Sequence, residues 1–282
     1  MKKALLSIGG YDPSSGAGVV LDAKVFESLG FHGMCLVTAV TAQNTRAVKD
    51  CFALSPVLLR SQFEALKEDI PIFGIKVGMI ASRRLIPVVS EILASAPGIP
   101  RVVDPVFKST SGAWLIEENA VRTYASALVG KATVITPNMA EASLIARMPV
   151  RGIPDMREAA RRIHDFIGFA VLVKGGHLPN RAVNVLYDGK DFHMFKAGKL
   201  RREVHGTGCF FSSSLLGFLA GGFPLEQSSR LAAELTRKSI KASLPLGKGQ
   251  RVFTFPPRNS PRGSRRPGRK SVPPGHGPGN RP

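Results

Sequence analysis

A thiol stands directly after two glycines in His205-Gly206-Thr207-Gly208-Cys209, at the entrance to a segment of small residues that includes Ser212-Ser213-Ser214. Glycine lets backbone N–H groups approach an anion, and a helix entrance carries partial positive charge. The segment therefore reads as an anion hole whose dipole lowers the pKa of Cys209. The competing reading is a small buried hydrophobe, and the glycines favour the first. A second cluster, Gly9-Gly10-Tyr11-Asp12-Pro13-Ser14-Ser15-Gly16-Ala17-Gly18, leads into a helical segment carrying Asp22. It suits a ligand-cradling loop or a structural turn equally. In Thr41-Ala42-Gln43-Asn44-Thr45 a side-chain amide has the donor and acceptor to pair with a heterocycle, or with its own loop.

Three further clusters carry charge. Lys76-Val77-Gly78-Met79 and Val103-Asp104-Pro105-Val106 each place an ionic side chain at a strand end, and Asp104 suits either a magnesium ion or a cap. Thr136-Pro137-Asn138-Met139-Ala140-Glu141 spaces an amide and a carboxylate three residues apart, on one face of a helix. Such oxygen donors fit magnesium shared with phosphates, or a capped helix start. Val173-Lys174-Gly175-Gly176-His177 ends an apolar run with a cation and two glycines, a combination suited to phosphate, while His177 alone reads as a loop residue.

These clusters need elements to hold them together, and the hydrophobic pattern supplies alternating strands and helices. Lys3 to Ile8, Met34 to Thr41, Gly74 to Val77, Arg101 to Asp104, Thr133 to Thr136 and Ala170 to Lys174 read as buried strands. Between them lie amphipathic segments: Val19, Ala23, Phe26 and Leu29 recur at helical spacing, and Ser55-Pro56 caps a helix running to about Glu68. That alternation predicts an α/β fold with a parallel sheet, in which ligands bind beyond the carboxyl ends of the strands. An Asp188-Gly189 turn predicts a hairpin on the sheet's edge, and Gly208 to Ala220 and Leu225 to Ser243 predict two closing helices.

Among 282 residues, 44% are hydrophobic, enough for a large core, and no run approaches the length needed to span a bilayer. The apolar run after Met1-Lys2-Lys3 stops at Gly9-Gly10, too short for a signal peptide. Three cysteines without Cys-x-x-Cys spacing argue against a disulfide framework or a structural zinc site, so a reducing, cytoplasmic setting is expected. The net charge of +19 invites a nucleic-acid reading, but from Arg258 onward the chain holds seven basic residues and no acid, with no aromatic interleaving. The division expected is a domain over 1–250 and a basic, disordered Pro/Gly/Arg-rich tail over 251–282, with nucleic acid not the main partner.

Taken in order, GYDPSSGAG with Asp22, TAQNT, KVGM, VVDPV, ITPNMAEA, VLVKGGH and HGTGC resemble the hydroxymethylpyrimidine/phosphomethylpyrimidine kinases of the ribokinase-like superfamily, over roughly residues 3 to 250. The resemblance implies a central, mainly parallel sheet with helices on both faces. It implies ATP-dependent phosphorylation of 4-amino-5-hydroxymethyl-2-methylpyrimidine, its monophosphate, or both, in thiamine biosynthesis, by a cytoplasmic homodimer using magnesium. By the same resemblance Gln43, Gly10, Asp22 and Met79 form the pyrimidine pocket, and Lys174 and Thr207 contact ATP phosphates. Asn138, Glu141 and Asp104 support magnesium. Cys209 takes the place of the aspartate base of sugar-kinase relatives, with the Gly206 and Gly208 amides stabilising the transferred group. Ser15 departs from the family's first loop, which carries glycine there. The nearest alternative is a pyridoxal or pyridoxine kinase of the same superfamily.

Overall fold

The computed structural model describes residues 2–109, 112–176, 178 and 181–255. His177 and the Arg-, Pro- and Gly-rich part of the expected tail lie outside the described residues.

The elements run β1 (Ala4–Tyr11), α1 (Gly18–Leu29), β2 (His32–Gln43), β3 (Val48–Ala53), α2 (Pro56–Asp69), β4 (Ile72–Val77), α3 (Ile86–Ala94), β5 (Arg101–Val103), α4 (Val121–Ala127), β6 (Val134–Ile135), α5 (Met139–Ala146), α6 (Ile153–Ile167), β7 (Ala170–Gly175), β8 (Arg181–Tyr187), β9 (Phe192–Gly198), α7 (Thr207–Ala220) and α8 (Leu225–Ala242). One nine-stranded sheet has the order β3-β2-β1-β4-β5-β6-β7-β8-β9. From β2 to β7 the strands are parallel, and β3, β8 and β9 pair antiparallel at the two edges.

Alternation along each strand divides the core between the two faces. Leu6, Ile8, Val103, Val171 and Val173 pack beneath α2 to α6, whereas Leu5, Val102, Val134 and Leu172 pack against Phe26 of α1, Phe211 and Leu215 of α7 and Ala232 of α8. Each such aliphatic side chain contributes about 1.5–3 kcal/mol when fully buried. Helices thus cover both faces, as expected for a parallel sheet.

The predicted strands and closing helices are present with small changes of boundary. Ser55 caps α2 through its hydroxyl, which accepts from the Leu58 N–H. The predicted hairpin is β8–β9, and β9 is the edge strand. Edge strand β3 was not anticipated: its sequence, Val-Lys-Asp-Cys-Phe-Ala, has two adjacent charges and leaves Phe52 73% exposed, so no buried face marks it. Packing also continues five residues into the segment assigned to the tail. Arg251 bridges Val204, Val252 bridges Leu244, and Phe253 stacks on Phe210 with ring centroids 4.3 Å apart. Among the described residues, no helix is long and apolar enough to cross a membrane.

Candidate active site

The carboxyl ends of the parallel strands are tied into one platform. Gly78 N–H donates to Ile8 O, Asp104 N–H to Val77 O, Thr136 N–H to Val103 O and Lys174 N–H to Pro137 O, each at 2.8 Å. Strand order reverses around β1, the place where open α/β sheets leave a crevice. Helix α7 enters this platform at its N-terminus, and its first-turn amides have no partner within the helix.

Gly206 caps α7 at φ 76, and a Cβ there would stand 2.1 Å from Gly16 O, so only glycine permits this approach of the helix entrance to the first loop. Gly208 follows inside the helix. A Cβ on it would stand 3.2 Å from Lys174 Nζ and 3.6 Å from Asp104 Oδ2, so the amide-rich entrance and the lysine face the same space. Thr207 donates its hydroxyl to Val204 O at 2.8 Å. Cys209 is half-buried above two buried ion pairs. Burial pushes its thiol up; Lys76 offsets part of this, while Asp22 and Asp104 add to it and an N–H from Gly18 opposes it. The lowered thiol expected from the helix entrance is therefore corrected to a raised one, because desolvation and two nearby carboxylates outweigh Lys76 and the Gly18 N–H.

The first ion pair joins Lys76 Nζ to Asp22 Oδ2 at 2.8 Å, with side chains 1% and 0% exposed. Ser7 Oγ donates to the same carboxylate oxygen at 2.5 Å and Ser213 Oγ to the other at 2.7 Å. Burial alone would lower the Lys76 ammonium, but Asp22, Cys209 and Asp104 together hold it above its usual range. The second pair joins Lys174 Nζ to Asp104 Oδ1 at 2.5 Å. Thr136 donates to Oδ1 and Ser212 to Oδ2 of Asp104, each at 3.1 Å. Two consecutive serines of α7 thus bind the two carboxylates, which fixes the helix entrance over both lysines.

Asn138 and Glu141 form a reciprocal capping box at the start of α5: the Asn138 side chain accepts from the Glu141 N–H, and Glu141 Oε2 from the Asn138 N–H at 2.7 Å. Asn138 is also bridged to Lys174, which brings this helix start to the second ion pair. Burial raises Glu141 to about 7; Lys174 opposes the shift, Asp104 reinforces it and the Asn138 N–H opposes it. The buried Tyr124 hydroxyl beside these carboxylates has no hydrogen-bond partner among the described residues.

Across the crevice, Met79 covers Gly10, where a Cβ would stand 2.3 Å from Met79 Cε. Thr38 holds the Met79 carbonyl through a 2.6 Å hydrogen bond. Gln43 Nε2 lies 2.7 Å from His205 Nε2, so the end of β2 meets the loop before α7. Gly10 is thereby brought against Met79, and Gln43 against the loop that leads into α7. Asp22 differs from the other residues expected in the pocket: its oxygens are committed to Ser7, Ser213 and Lys76, and it supports the floor. Asp104 is likewise committed, to Lys174, Thr136 and Ser212.

Sequence reading passed over Asp12, Ser7, Thr136 and the separate roles of Ser212 and Ser213. The available signal was Lys76 at the end of an apolar strand, since a buried ammonium requires a carboxylate partner. Among the described residues, no group of three or more His, Cys, Asp or Glu side chains is arranged to hold a metal ion by itself.

A family model described as phosphomethylpyrimidine kinase matches residues 12–254. The hydroxymethylpyrimidine/phosphomethylpyrimidine kinase of Aquifex aeolicus is 37% identical over 252 residues, spanning 89% of this chain and 99% of that protein. Among solved structures, the pyridoxal kinase from Staphylococcus aureus in complex with ADP has a TM-score of 0.83 at 27% identity, covering 90% of this chain and 93% of that one. The phosphomethylpyrimidine kinase from Clostridium difficile 630 has a TM-score of 0.75 at 33% identity, covering 85% and 100%.

Proposed function

The chain belongs to the phosphomethylpyrimidine kinase family, and from that premise we propose how its residues carry out phosphoryl transfer. It is an ATP-dependent kinase with a ribokinase-like fold, acting in thiamine biosynthesis on 4-amino-5-hydroxymethyl-2-methylpyrimidine, its monophosphate, or both. The observation that carries the scheme is the meeting of Gly208 with Lys174 and Asp104 at the mouth of α7.

In the proposed reaction the hydroxymethyl oxygen attacks the γ-phosphorus in line with the departing ADP oxygen. Lys174 and Thr207 contact the ATP phosphates. The amides of Gly206 to Cys209 take up charge on the transferred group, the kind of fixed dipole that stabilises a transition state without reorganising. Cys209 as thiolate accepts the alcohol's proton. Gln43 addresses the pyrimidine edge, with Gly10 and Met79 shaping the pocket and Asp22 holding its floor.

The oxygen-only donor set at the start of α5, the raised carboxyl of Glu141 and the unpartnered Tyr124 hydroxyl fit a magnesium ion shared with the phosphates. Glu141 and Asn138 are the residues proposed to hold it, with Asp104 acting from behind Lys174. A magnesium ion held by these residues would supply positive charge against the phosphates. The proposal includes a cytoplasmic setting, in which Cys35, Cys51 and Cys209 remain the free thiols they are here. It also includes a homodimer, which light scattering reports directly.

The test is ADP release with magnesium and ATP, comparing 4-amino-5-hydroxymethyl-2-methylpyrimidine, its monophosphate and pyridoxal at equal concentrations. The expected result is turnover of at least one pyrimidine in preference to pyridoxal, and which pyrimidine turns over assigns the phosphorylation step. Preference for pyridoxal would retain the chemistry and overturn the substrate.

A further inference from the structure

Strand β1 lies between β2 and β4, and its pairing with β2 slips by one residue: Gly9 faces Val37, but Gly10 faces Ala39. Thr38 is the residue left over, the extra member of a bulge in β2. Bulges beside functional sites re-aim a side chain. Here the buried Thr38 hydroxyl donates to Met79 O at 2.6 Å, which ties β2 to the loop after β4 across the end of β1. The bulge is itself pinned from α2. Gln62 Oε1 accepts from Val37 N–H at 2.9 Å and Gln62 Nε2 donates to Val37 O at 3.1 Å, a two-point clasp on the residue before Thr38. The Thr38 carbonyl accepts from Leu54 N–H at 2.8 Å.

Each of these contacts pairs a donor with an acceptor, and none competes with another for the same atom. Beyond the carbonyl that Thr38 holds, Met79 Cε reaches Gly10, where a Cβ would come within 2.3 Å of it. A methionine side chain has three rotatable bonds and adapts to whatever space its neighbours leave. What sets the place of the Met79 thioether is therefore its backbone, and Thr38 is the side chain that fixes that backbone.

We propose that Thr38 is a specificity-determining positioning residue, which from the bulge pinned by Gln62 holds the Met79 thioether in place as one wall of the ring pocket. This rests on the reading of Met79 and Gly10 as pocket residues. The bond to the Met79 carbonyl persists on binding, and it acts by keeping the wall in its binding-competent position before the ring arrives. Without it only a fraction of the molecules is competent, and apparent affinity falls by that fraction. The loss falls on the ring whose contour the wall matches. Pyridoxal carries one more ring substituent than the aminopyrimidine and gains room when the wall loosens, so discrimination between the two falls as well.

The experiment sets Thr38→Val, which keeps the shape and removes the donor, beside Thr38→Ser, which keeps the hydroxyl. In Thr38→Val the KM for 4-amino-5-hydroxymethyl-2-methylpyrimidine should rise about fivefold, the worth of one neutral hydrogen bond, with kcat and the KM for ATP within about twofold. The preference for the pyrimidine over pyridoxal should fall with it, and Thr38→Ser should keep both near the parent values. Adding Thr38→Val to Met79→Ala should change the pyrimidine KM little, because the thioether that Thr38 positions is gone. A parallel rise in the KM for ATP, equal losses in the two Thr38 variants, or additivity with Met79→Ala would each overturn the proposal. So would a lower melting temperature with unchanged substrate preference, the mark of a bond that only stabilises the fold. Should Thr38→Val fail to fold, Gln62→Leu, which frees the bulge from α2, decides in its place, and an unchanged preference there counts against the idea. A Met79→Ala enzyme with unchanged pyrimidine KM would instead remove the pocket reading of Met79, a result distinct from failure at Thr38.

Discussion

Cys209 illustrates how a residue's neighbours decide what it can do. Its motif suggested a thiol made acidic by a helix entrance, yet it sits over Asp22 and Asp104 in a desolvated floor, and the balance runs the other way. A thiol with a raised pKa is protonated at neutral pH, so the basic form grows as pH increases. If Cys209 takes the alcohol's proton, kcat for the pyrimidine should climb through the alkaline range. Cys209→Ala should flatten that limb and lower kcat by about a hundredfold or more, the usual contribution of a positioned base. A variant with the same pH profile as the parent would leave Cys209 without that role. The glycine-rich loops at the strand ends were legible in the sequence because glycine next to a polar residue there is a local signal. The partners of Asp12 and of the α7 serines were not, because they lie far along the chain: Ser213 is 191 residues from Asp22, and His205 is 193 from Asp12.

At the scale of elements, strands and helices whose apolar faces are buried could be read from periodicity, while β3, exposed at an edge, could not. Ser15 shows the limit from another side. It adopts φ 56, a conformation that glycine takes freely and that local preference disfavours for serine, and it stands where the family resemblance expects glycine. At the start of α5 the structure shows the capped-helix reading: Asn138 and Glu141 form a capping box, which also borders the second ion pair. The folded state holds the Glu141 proton up to about 7, above the usual value of 4.5, so this group's stabilising contribution is complete below pH 4.5 and lost as pH rises through 7. Glu141→Gln keeps the capping box and removes the titration. Its melting temperature should match the parent at pH 4 and exceed it by several degrees at pH 8. Magnesium with a non-hydrolysable ATP analogue should stabilise the parent more than the variant. Equal pH dependence in the two proteins would show that Glu141 ionises normally.

For the whole molecule, the boundary between folded domain and tail is set by packing and not by composition. Phe253 lies 7% exposed in a cluster with Leu21, Val25, Val204 and Phe210, and Phe255 packs beside it, although these residues immediately precede a segment of Pro, Arg and Gly. Truncation after Phe255 should leave the melting temperature and both KM values unchanged, consistent with small-molecule turnover independent of the basic segment. Truncation after Gln250 should destabilise the protein by roughly 3 kcal/mol or more, as expected for emptying an aromatic position in a core, and should abolish activity. If both truncations behave alike, the cluster around Phe210 does not hold the catalytic helix.

The backbone of Arg251 accepts from His205 N–H, and Gln250 N–H donates to Thr45 O, so the last described stretch joins the β2 loop to the start of α7. A chain growing from its N-terminus can therefore assemble most of the sheet before this junction forms. The clasp between the β2 loop and the loop before α7 waits for residues 250 and 251. A chain cut short before Gln250 would keep every described strand and lose these two hydrogen bonds.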